Sequence, residues 1–152
     1  MKYSFSYQTP VGRIWLAEEN GALSDLSFGP VSASEEQETP VLRLAAGQLE
    51  EYFAGGRQKF DLPLNAQGTL FQKSVWAALQ DIPYGGTCSY GDIAAAVGNK
   101  KACRAVGMAN NKNPLPIFIP CHRVIGANGN LTGYGGGLDI KRALLALEQK
   151  YQ

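Results

Sequence analysis

The sequence lacks several features that would assign it to other classes of protein. Its 152 residues contain no apolar run near the ~20 residues that a membrane-spanning helix needs, and its N-terminus has no apolar signal-peptide core. Only three cysteines are present, Cys88, Cys103 and Cys121, and no two of them have the spacing of a zinc or redox motif. We therefore expect a cytoplasmic protein with no membrane span, no disulfide framework and no metal.

Carboxylates are missing from a long part of the second half. No Asp or Glu occurs from Ile93 to Leu138. Residues 1–92 hold six Lys and Arg against eleven Asp and Glu, whereas residues 93–152 hold eight against two, within a chain of net charge +1. A basic half in a nearly neutral protein indicates a polyanion bound on one face. An ordinary solvated surface would give the same charge count.

The first third of the chain has the alternating polarity of half-buried strands. We predict strands over 3–7, 12–17 and 22–28, a polar loop over 32–39 and a helix over 41–53. Asn20-Gly21 predicts a tight hairpin turn between the second and third strands, and Gly55-Gly56 predicts the end of the helix. These elements form an antiparallel sheet with one helix, which we assign to a first domain over residues 1–66.

Helix signals replace strand signals in the second domain, over residues 67–152. Two capping boxes, Thr69 with Gln72 and Ser89 with Asp92, predict helix starts. The predicted elements are helices from 70 to before Pro83, over 90–98, about 100–110 and about 139–150, and a hairpin of 124–125 with 131–132. The middle two helices form a helix-turn-helix candidate, and the hairpin after them suggests a winged domain. The predicted fold class is therefore mixed α/β, of the α+β kind.

The best candidate for a catalytic site is Cys121, which directly precedes His122, the only histidine in the sequence. A thiol must lose its proton to attack, a histidine can accept that proton, and a carboxylate can orient the imidazole. Glu148, at the edge of the apolar stripe of the last helix, is the candidate carboxylate, although an ordinary boundary residue fits as well. Neighbours on a strand point to opposite faces, so His122 reaches Cys121 only at a bend or through a water. Alone, the pair also fits a buried free cysteine beside a surface histidine.

The run from Ile119 to Val124 resembles the active-site signature of the O6-alkylguanine-DNA alkyltransferases, or methylated-DNA–protein-cysteine methyltransferases. Other segments match in order and spacing: Pro83-Tyr84-Gly85, Ser89-Tyr90, Lys101 to Gly107, Asn113-Pro114, Gly133-Tyr134 and Gly136-Gly137-Leu138. The resemblance is close over about residues 69–150 and general over 1–65. It implies a ribonuclease-H-like N-terminal domain and a C-terminal winged helix-turn-helix domain.

The resemblance also implies a role for each site residue in single-turnover DNA repair. Cys121 would accept the alkyl group of O6-alkylguanine, with O4-alkylthymine as a second candidate substrate. His122 would act as general base through a water, and Glu148 would orient it, so we expect the pKa of Cys121 below that of an ordinary thiol. Asn113 would stabilise the turn that positions the site, and Tyr134 would help to protonate the leaving guanine. The pocket residues would be Tyr134, Gly135, Gly136 and Val124.

For DNA, the resemblance implies that the second helix of the motif enters the minor groove. Arg104 would fill the stack after the damaged nucleotide flips out, and Tyr90 would turn the adjacent phosphate. The remaining expected DNA contacts are Ser89, Lys100, Lys101, Ala102, Ala105, Gly107 and Arg123. We expect a monomer that needs no cofactor. Two alternatives stay open: a cysteine hydrolase that uses Cys121, His122 and Glu148, and a winged-helix protein that binds damaged bases without chemistry.

Overall fold

The computed structural model describes residues 1–131, 133–134 and 136–152 and divides into two units. The first unit, Met1–Gln67, contains four strands and one helix. Strands β1 (Lys2–Thr9), β2 (Gly12–Glu19) and β3 (Ala22–Ser27) form the predicted antiparallel meander. Asn20 and Gly21 have φ of 56° and 83° between β2 and β3. Two positive φ values are typical of a two-residue type I′ hairpin turn, so the predicted tight turn is confirmed.

The segment predicted as a loop over 32–39 contains a short strand. Strand β4 (Glu35–Glu36) pairs in parallel with β1, with Tyr3 opposite Glu35, and completes the sheet order β3-β2-β1-β4. The prediction failed because a two-residue strand has no alternation to detect. Strand β4 pairs with β1 because the outer edge of β1 would otherwise leave backbone N–H and C=O groups without partners.

Helix α1 (Pro40–Phe53) supplies the apolar layer of the first unit. Pro40 occupies the first helical position, where a missing N–H costs nothing. The helix buries Leu42, Ala45, Leu49 and Tyr52, and the sheet contributes Ile14, Leu16 and Leu23 to the same core. Gly55, at φ 84°, follows the end of the helix, as the sequence predicts.

Helices dominate the second unit, Gly68–Gln152. Its elements are α2 (Leu70–Leu79), β5 (Cys88–Ser89), α3 (Tyr90–Ala96), α4 (Cys103–Asn111), β6 (Val124–Ile125) and α5 (Leu138–Tyr151). Both predicted capping boxes are present with reciprocal hydrogen bonds. Helix α4 starts three residues later than predicted, because the Asn99 side chain accepts the Lys101 N–H in a local turn.

The hairpin predicted after the helices is a turn without a strand pair in the described residues. The Gly126 N–H donates to the Asn130 carbonyl at 2.8 Å, so the chain does reverse at Asn128-Gly129. However, β6 pairs in parallel with β5, and Leu131 belongs to no strand. Thr132, the other half of the predicted strand, lies outside the described residues.

Among the described residues, every helix is too short or too polar to cross a lipid bilayer.

Candidate active site

The chain between α4 and Cys121 is a buried turn that Asn113 closes. The Asn113 Nδ2 donates to the Ile119 carbonyl at 2.8 Å, and its Oδ1 accepts the Leu115 N–H at 3.0 Å. Inside this turn Ile117 has φ 75°, which is strained for a β-branched side chain. Strain of this kind persists only where the surroundings enforce it, and it is common at functional sites. Asn113 thus lies where a residue that positions Cys121 is expected.

Cys121, His122 and Arg123 form one turn of 3₁₀ helix rather than a piece of strand. Successive side chains on a 3₁₀ helix project about 120° apart, in place of the 180° of a strand. This turn is the bend that the sequence required between Cys121 and His122. All three side chains are buried, and His122 is completely inaccessible.

Glu148 lies at the centre of a buried hydrogen-bond network. Its Oε2 is 2.7 Å from the His122 Nε2, and the Arg123 Nε and Nη2 reach its two oxygens at 2.8 and 2.9 Å. The Gly85 N–H adds a bond of 3.2 Å to Oε1. A carboxylate that is 1% exposed would be costly alone, but here a guanidinium neutralises it in bidentate geometry. Glu148 is therefore a buried network residue, not the ordinary boundary residue that spacing also allowed.

The tautomer of His122 follows from this network. A carboxylate can only accept a hydrogen bond, so the proton of the neutral ring is on Nε2 and the lone pair is on Nδ1. That Nδ1 is buried and has no partner among the described residues. Burial lowers the pKa of His122, against the opposing effect of Glu148, and the cations Arg123 and Lys141 lower it further. His122 is therefore neutral at neutral pH and able to accept a proton.

Cys121 departs from the expectation for an activated thiol. Burial raises its pKa to about 11, although a hydrogen bond from Asn113 and the charge of Lys141 both act to lower it. The expectation that its pKa lies below that of an ordinary thiol is therefore wrong. With 4% of the residue exposed, the loss of hydration of the thiolate outweighs both favourable contacts.

Arg123 requires a second correction. The sequence placed it among the DNA contacts, but the residue is only 7% exposed. Two of its nitrogens are bonded to Glu148, and Nη1 donates to the Ile82 carbonyl at 2.8 Å. The guanidinium also lies 5.7 Å from the centre of the Tyr84 ring. The charge of Arg123 therefore neutralises the buried Glu148 carboxylate and is not exposed for contact with a phosphate.

Two buried polar residues beside Cys121 were not predicted. Lys141 is inaccessible and donates from Nζ to the Val124 carbonyl at 2.6 Å. Asn110, 2% exposed, donates from Nδ2 to the Cys121 carbonyl at 3.3 Å. The buried face of α5 consists of Lys141, Leu144 and Glu148, so the helical spacing from Glu148 could have identified Lys141. Asn110 had no comparable signal.

Part of the predicted guanine pocket lies outside the described residues. Gly135 is the pocket residue that is not described, whereas its neighbours Tyr134 and Gly136 are described and half-buried. Burial raises the pKa of the Tyr134 hydroxyl strongly, and negative charge on Cys121 or Glu148 would raise it further. Tyr134 therefore stays protonated and is electrostatically coupled to Cys121.

The predicted DNA contacts other than Arg123 fall on α3 and the Ser89 that caps it, on α4, and on the turn between these helices. Lys100, Lys101, Arg104 and Ala105 are exposed, and Ala102 and Gly107 are half-buried. A Cβ on Gly107 would lie 3.8 Å from the Tyr90 ring, so Tyr90 packs close to α4. The Ser89 hydroxyl caps α3 by accepting the Asp92 N–H at 3.0 Å. The described residues contain no group of three His, Cys, Asp or Glu side chains able to hold a metal ion.

The fold and the site define a two-unit α/β protein with a buried cluster of Cys121, His122 and Glu148, and two family models cover nearly the whole chain. The DNA binding domain of 6-O-methylguanine DNA methyltransferase matches residues 70–150, and the ribonuclease-like domain of the same protein matches residues 1–66. The chain belongs to the 6-O-methylguanine DNA methyltransferase family. The ribonuclease-like first domain and the mixed α/β fold class are confirmed.

Individual relatives agree with this assignment. The methylated-DNA–protein-cysteine methyltransferase of Methanosarcina acetivorans is 52% identical, over 96% of this chain and 97% of the relative. The constitutive Bacillus subtilis protein of the same name is 50% identical, over 98% and 96%. Mycobacterium tuberculosis O6-methylguanine methyltransferase has a TM-score of 0.93 at 44% identity, covering 100% of this chain and 95% of that one. The same organism's OGT in complex with DNA has a TM-score of 0.91 at 46% identity, covering 98% and 94%.

Proposed function

We propose that this protein repairs DNA by direct reversal, moving an alkyl group from the O6 of guanine to the sulfur of its own Cys121. The names of its relatives describe a protein cysteine as the methyl acceptor. The observation that carries the proposal is the buried Cys121 thiol followed by His122, whose imidazole is neutral and bonded to the buried Glu148.

The thiol proton leaves through His122. The Cys121 thiol is protonated in the free protein, so a base must accept its proton as the sulfur attacks. His122 offers the Nδ1 lone pair, and we assign the transfer to a bridging water. Glu148 accepts the Nε2–H and stabilises the imidazolium that forms. Lys141 adds positive charge that favours the developing thiolate.

In the transfer itself, the sulfur attacks the alkyl carbon opposite O6. A carbon–sulfur bond forms as the carbon–O6 bond breaks, and the electron pair stays with the guanine. The guanine then takes up one proton, assisted by the Tyr134 hydroxyl, which balances the proton lost by Cys121. The product is a thioether, which is not a leaving group under these conditions. Each molecule therefore acts once and needs no cofactor.

The target carbon cannot be reached inside a stacked duplex, so the nucleotide must flip out. We assign that step to the helix-turn-helix of α3 and α4, with α4 in the minor groove. Arg104 would occupy the vacated stack and Tyr90 would turn the adjacent phosphate. Lys100 and Lys101 would contact phosphates. Close approach would depend on the small or capping residues Ser89, Ala102, Ala105 and Gly107. We place this activity in the cytoplasm, in a monomer.

Peptide mapping after incubation with an O6-methylguanine oligonucleotide tests the proposal. We expect the methyl group on the Cys121 peptide and none after Cys121→Ser. Cys103→Ser is the matched control, because Cys103 is an exposed thiol on α4, and it should be methylated on Cys121 like the wild type. Methyl found on Cys88 or Cys103, or none on Cys121, would refute the assignment.

A further inference from the structure

Asn110 is a polar residue on a helix face that otherwise packs in the core. Val106 and Ala109 share this buried face of α4. The Asn110 Nδ2 donates to the Cys121 carbonyl at 3.3 Å, whereas Oδ1 is buried and has no hydrogen-bond partner among the described residues. A buried acceptor without a partner is destabilising, so an apolar side chain of similar shape would make a more stable helix here.

The orientation of the Asn110 amide is fixed by its neighbour. The Cys121 carbonyl can only accept, so the NH₂ group must face it, and the reversed amide would bring two acceptors together. The same carbonyl also accepts the Val124 N–H, which closes the 3₁₀ turn. The turn therefore has its own closing bond, and the bond from Asn110 is an addition to it.

This additional bond ties the nucleophile to the helix that carries Arg104. The Cys121 N–H donates to the Ile119 carbonyl at 2.7 Å, inside its own loop. By contrast, the Asn110 amide comes from α4, six residues after Arg104 and about 9 Å further along the helix axis. Trp76 holds the same end of α4 by donating from Nε1 to the Ala109 carbonyl at 2.8 Å.

We propose that Asn110 is a positioning residue for the alkyl transfer, whose side-chain amide fixes the Cys121 peptide relative to α4. In this way it sets the direction from which the sulfur meets the alkyl carbon. In-line displacement requires such alignment, and small misplacements of the reacting atoms slow it. The inference rests on the proposed transfer to Cys121 and adds a residue that acts through the backbone of that cysteine.

The test is Asn110→Leu, compared with the wild type for thermal stability, duplex affinity and the rate of Cys121 alkylation. We expect the Tm to stay or rise, because the variant removes an unpartnered acceptor. Loss of one hydrogen bond corresponds to about a tenfold slower transfer. The rate should fall equally with an O6-methylguanine duplex and with the free alkylated base, and duplex affinity should not change.

Asn110→Asp is the second variant, because it keeps the shape but places an acceptor against the Cys121 carbonyl. It should also transfer slowly with both substrates. Asn128→Asp is the matched control: the residue is exposed, and an aspartate can still accept the Asn130 N–H. This control should react with the free base at the wild-type rate.

Three results would overturn the role of Asn110 while leaving alkyl transfer intact. They are a wild-type rate in Asn110→Leu, a slow rate with the duplex alone, and a rate loss matched by a lower Tm in both Asn110 variants. The first excludes positioning, the second indicates DNA handling, and the third indicates support of the fold. A wild-type protein that leaves Cys121 unmodified would instead refute the proposed function, and this role with it.

Discussion

Burial shields the Cys121 thiol from solvent and keeps it protonated at neutral pH. With a pKa of about 11, on the order of one molecule in ten thousand would hold a thiolate at pH 7. In the proposed transfer, attack must therefore be coupled to proton removal, and we assign that proton to the neutral His122. Such coupling would let a thiol that stays protonated in the free protein attack a bound substrate.

Alkaline pH should reveal this burial as a loss of stability. The folded thiol keeps its proton up to about pH 11, whereas an unfolded thiol releases it near pH 9, so the free energy of unfolding falls as the pH rises between these values. The Cys121 contribution approaches about 3 kcal/mol above that range. Thermal melts of wild type and Cys121→Ser measure it, because serine does not ionise there. Parallel declines of the two proteins would contradict the burial effect.

Glu148→Gln should slow transfer about a hundredfold, by removing the charge that stabilises the His122 imidazolium. The variant also leaves Arg123 as an unpaired buried cation, which lowers stability. Stopped-flow transfer rates, taken well below the melting temperature, check the prediction.

The double variant Arg123→Met with Glu148→Gln separates the two effects. It removes both charges, so much of the lost stability should return while transfer stays slow. Recovery of the rate together with the stability would mean that Glu148 supports the fold only. Unchanged kinetics in Glu148→Gln alone would remove this carboxylate from the mechanism.

At the scale of elements, α4 carries both residues to which we assign roles on either side of the proposed reaction, DNA handling and positioning of Cys121. Its first turn exposes Arg104, and its last turn holds Asn110 against the backbone of Cys121. The helix is only nine residues long, so in the proposed complex a movement of α4 on DNA would also displace the Cys121 backbone that Asn110 contacts.

Arg104→Ala should slow repair of duplex DNA about 10- to 100-fold, since extruding a base costs a few kcal/mol. Reaction with the free O6-alkylguanine base needs no extrusion, so its rate should barely change. The ratio of the two rates is the measurement, because it cancels general damage to the site. Arg142→Ala, an exposed arginine on α5, is the matched control. Equal slowing on both substrates would assign Arg104 to the fold or the active site instead.

Local signals in the sequence identified most elements, since capping boxes, the Asn20-Gly21 turn and alternating polarity each act over a few residues. The errors lie where contacts between distant segments decide. Strand β6 pairs with β5, and Val124 lies opposite Cys88, which is 36 residues earlier in the chain. No local sequence pattern predicts such a pairing. The start of α4 was missed for a different, local reason, because the Asn99 side chain accepts the Lys101 N–H and so favours a turn over the first helical turn.

The same limit applies to the site. Cys121, His122 and Glu148 were predicted as one site from a short run and a family resemblance, and the structure brings His122 and Glu148 into contact. The partners of Glu148 and Cys121 were not, because Arg123, Asn110 and Lys141 act through bonds that only the folded chain creates. Burial of the thiol also reversed the expected direction of the Cys121 pKa shift, because the exposure of a side chain cannot be read from a short motif.

At the scale of the whole molecule, charge is divided between the two parts of the chain. The segment without carboxylates, from Ile93 to Leu138, includes the exposed Lys100 and Lys101. Affinity for undamaged duplex should therefore fall with salt, because each phosphate contact releases condensed counterions.

Replacing Lys100 and Lys101 by Gln should reduce the slope of log affinity against log salt by about one for each lysine. Lys59→Gln is the matched control, an exposed lysine of the first unit, and should leave the slope unchanged. Fluorescence anisotropy at several salt concentrations provides the data. An affinity independent of salt would show that the basic segment is only a solvated surface.

Intact-mass spectrometry with excess O6-methylguanine duplex is the sharpest test of a single, irreversible transfer to Cys121. Every molecule should replace the thiol hydrogen by one methyl group, a net gain of CH2, repaired DNA should equal protein in amount, and the reaction should then stop. Repaired DNA in excess over protein, with Cys121 unmodified at the end, would refute single transfer and indicate a turning-over cysteine enzyme.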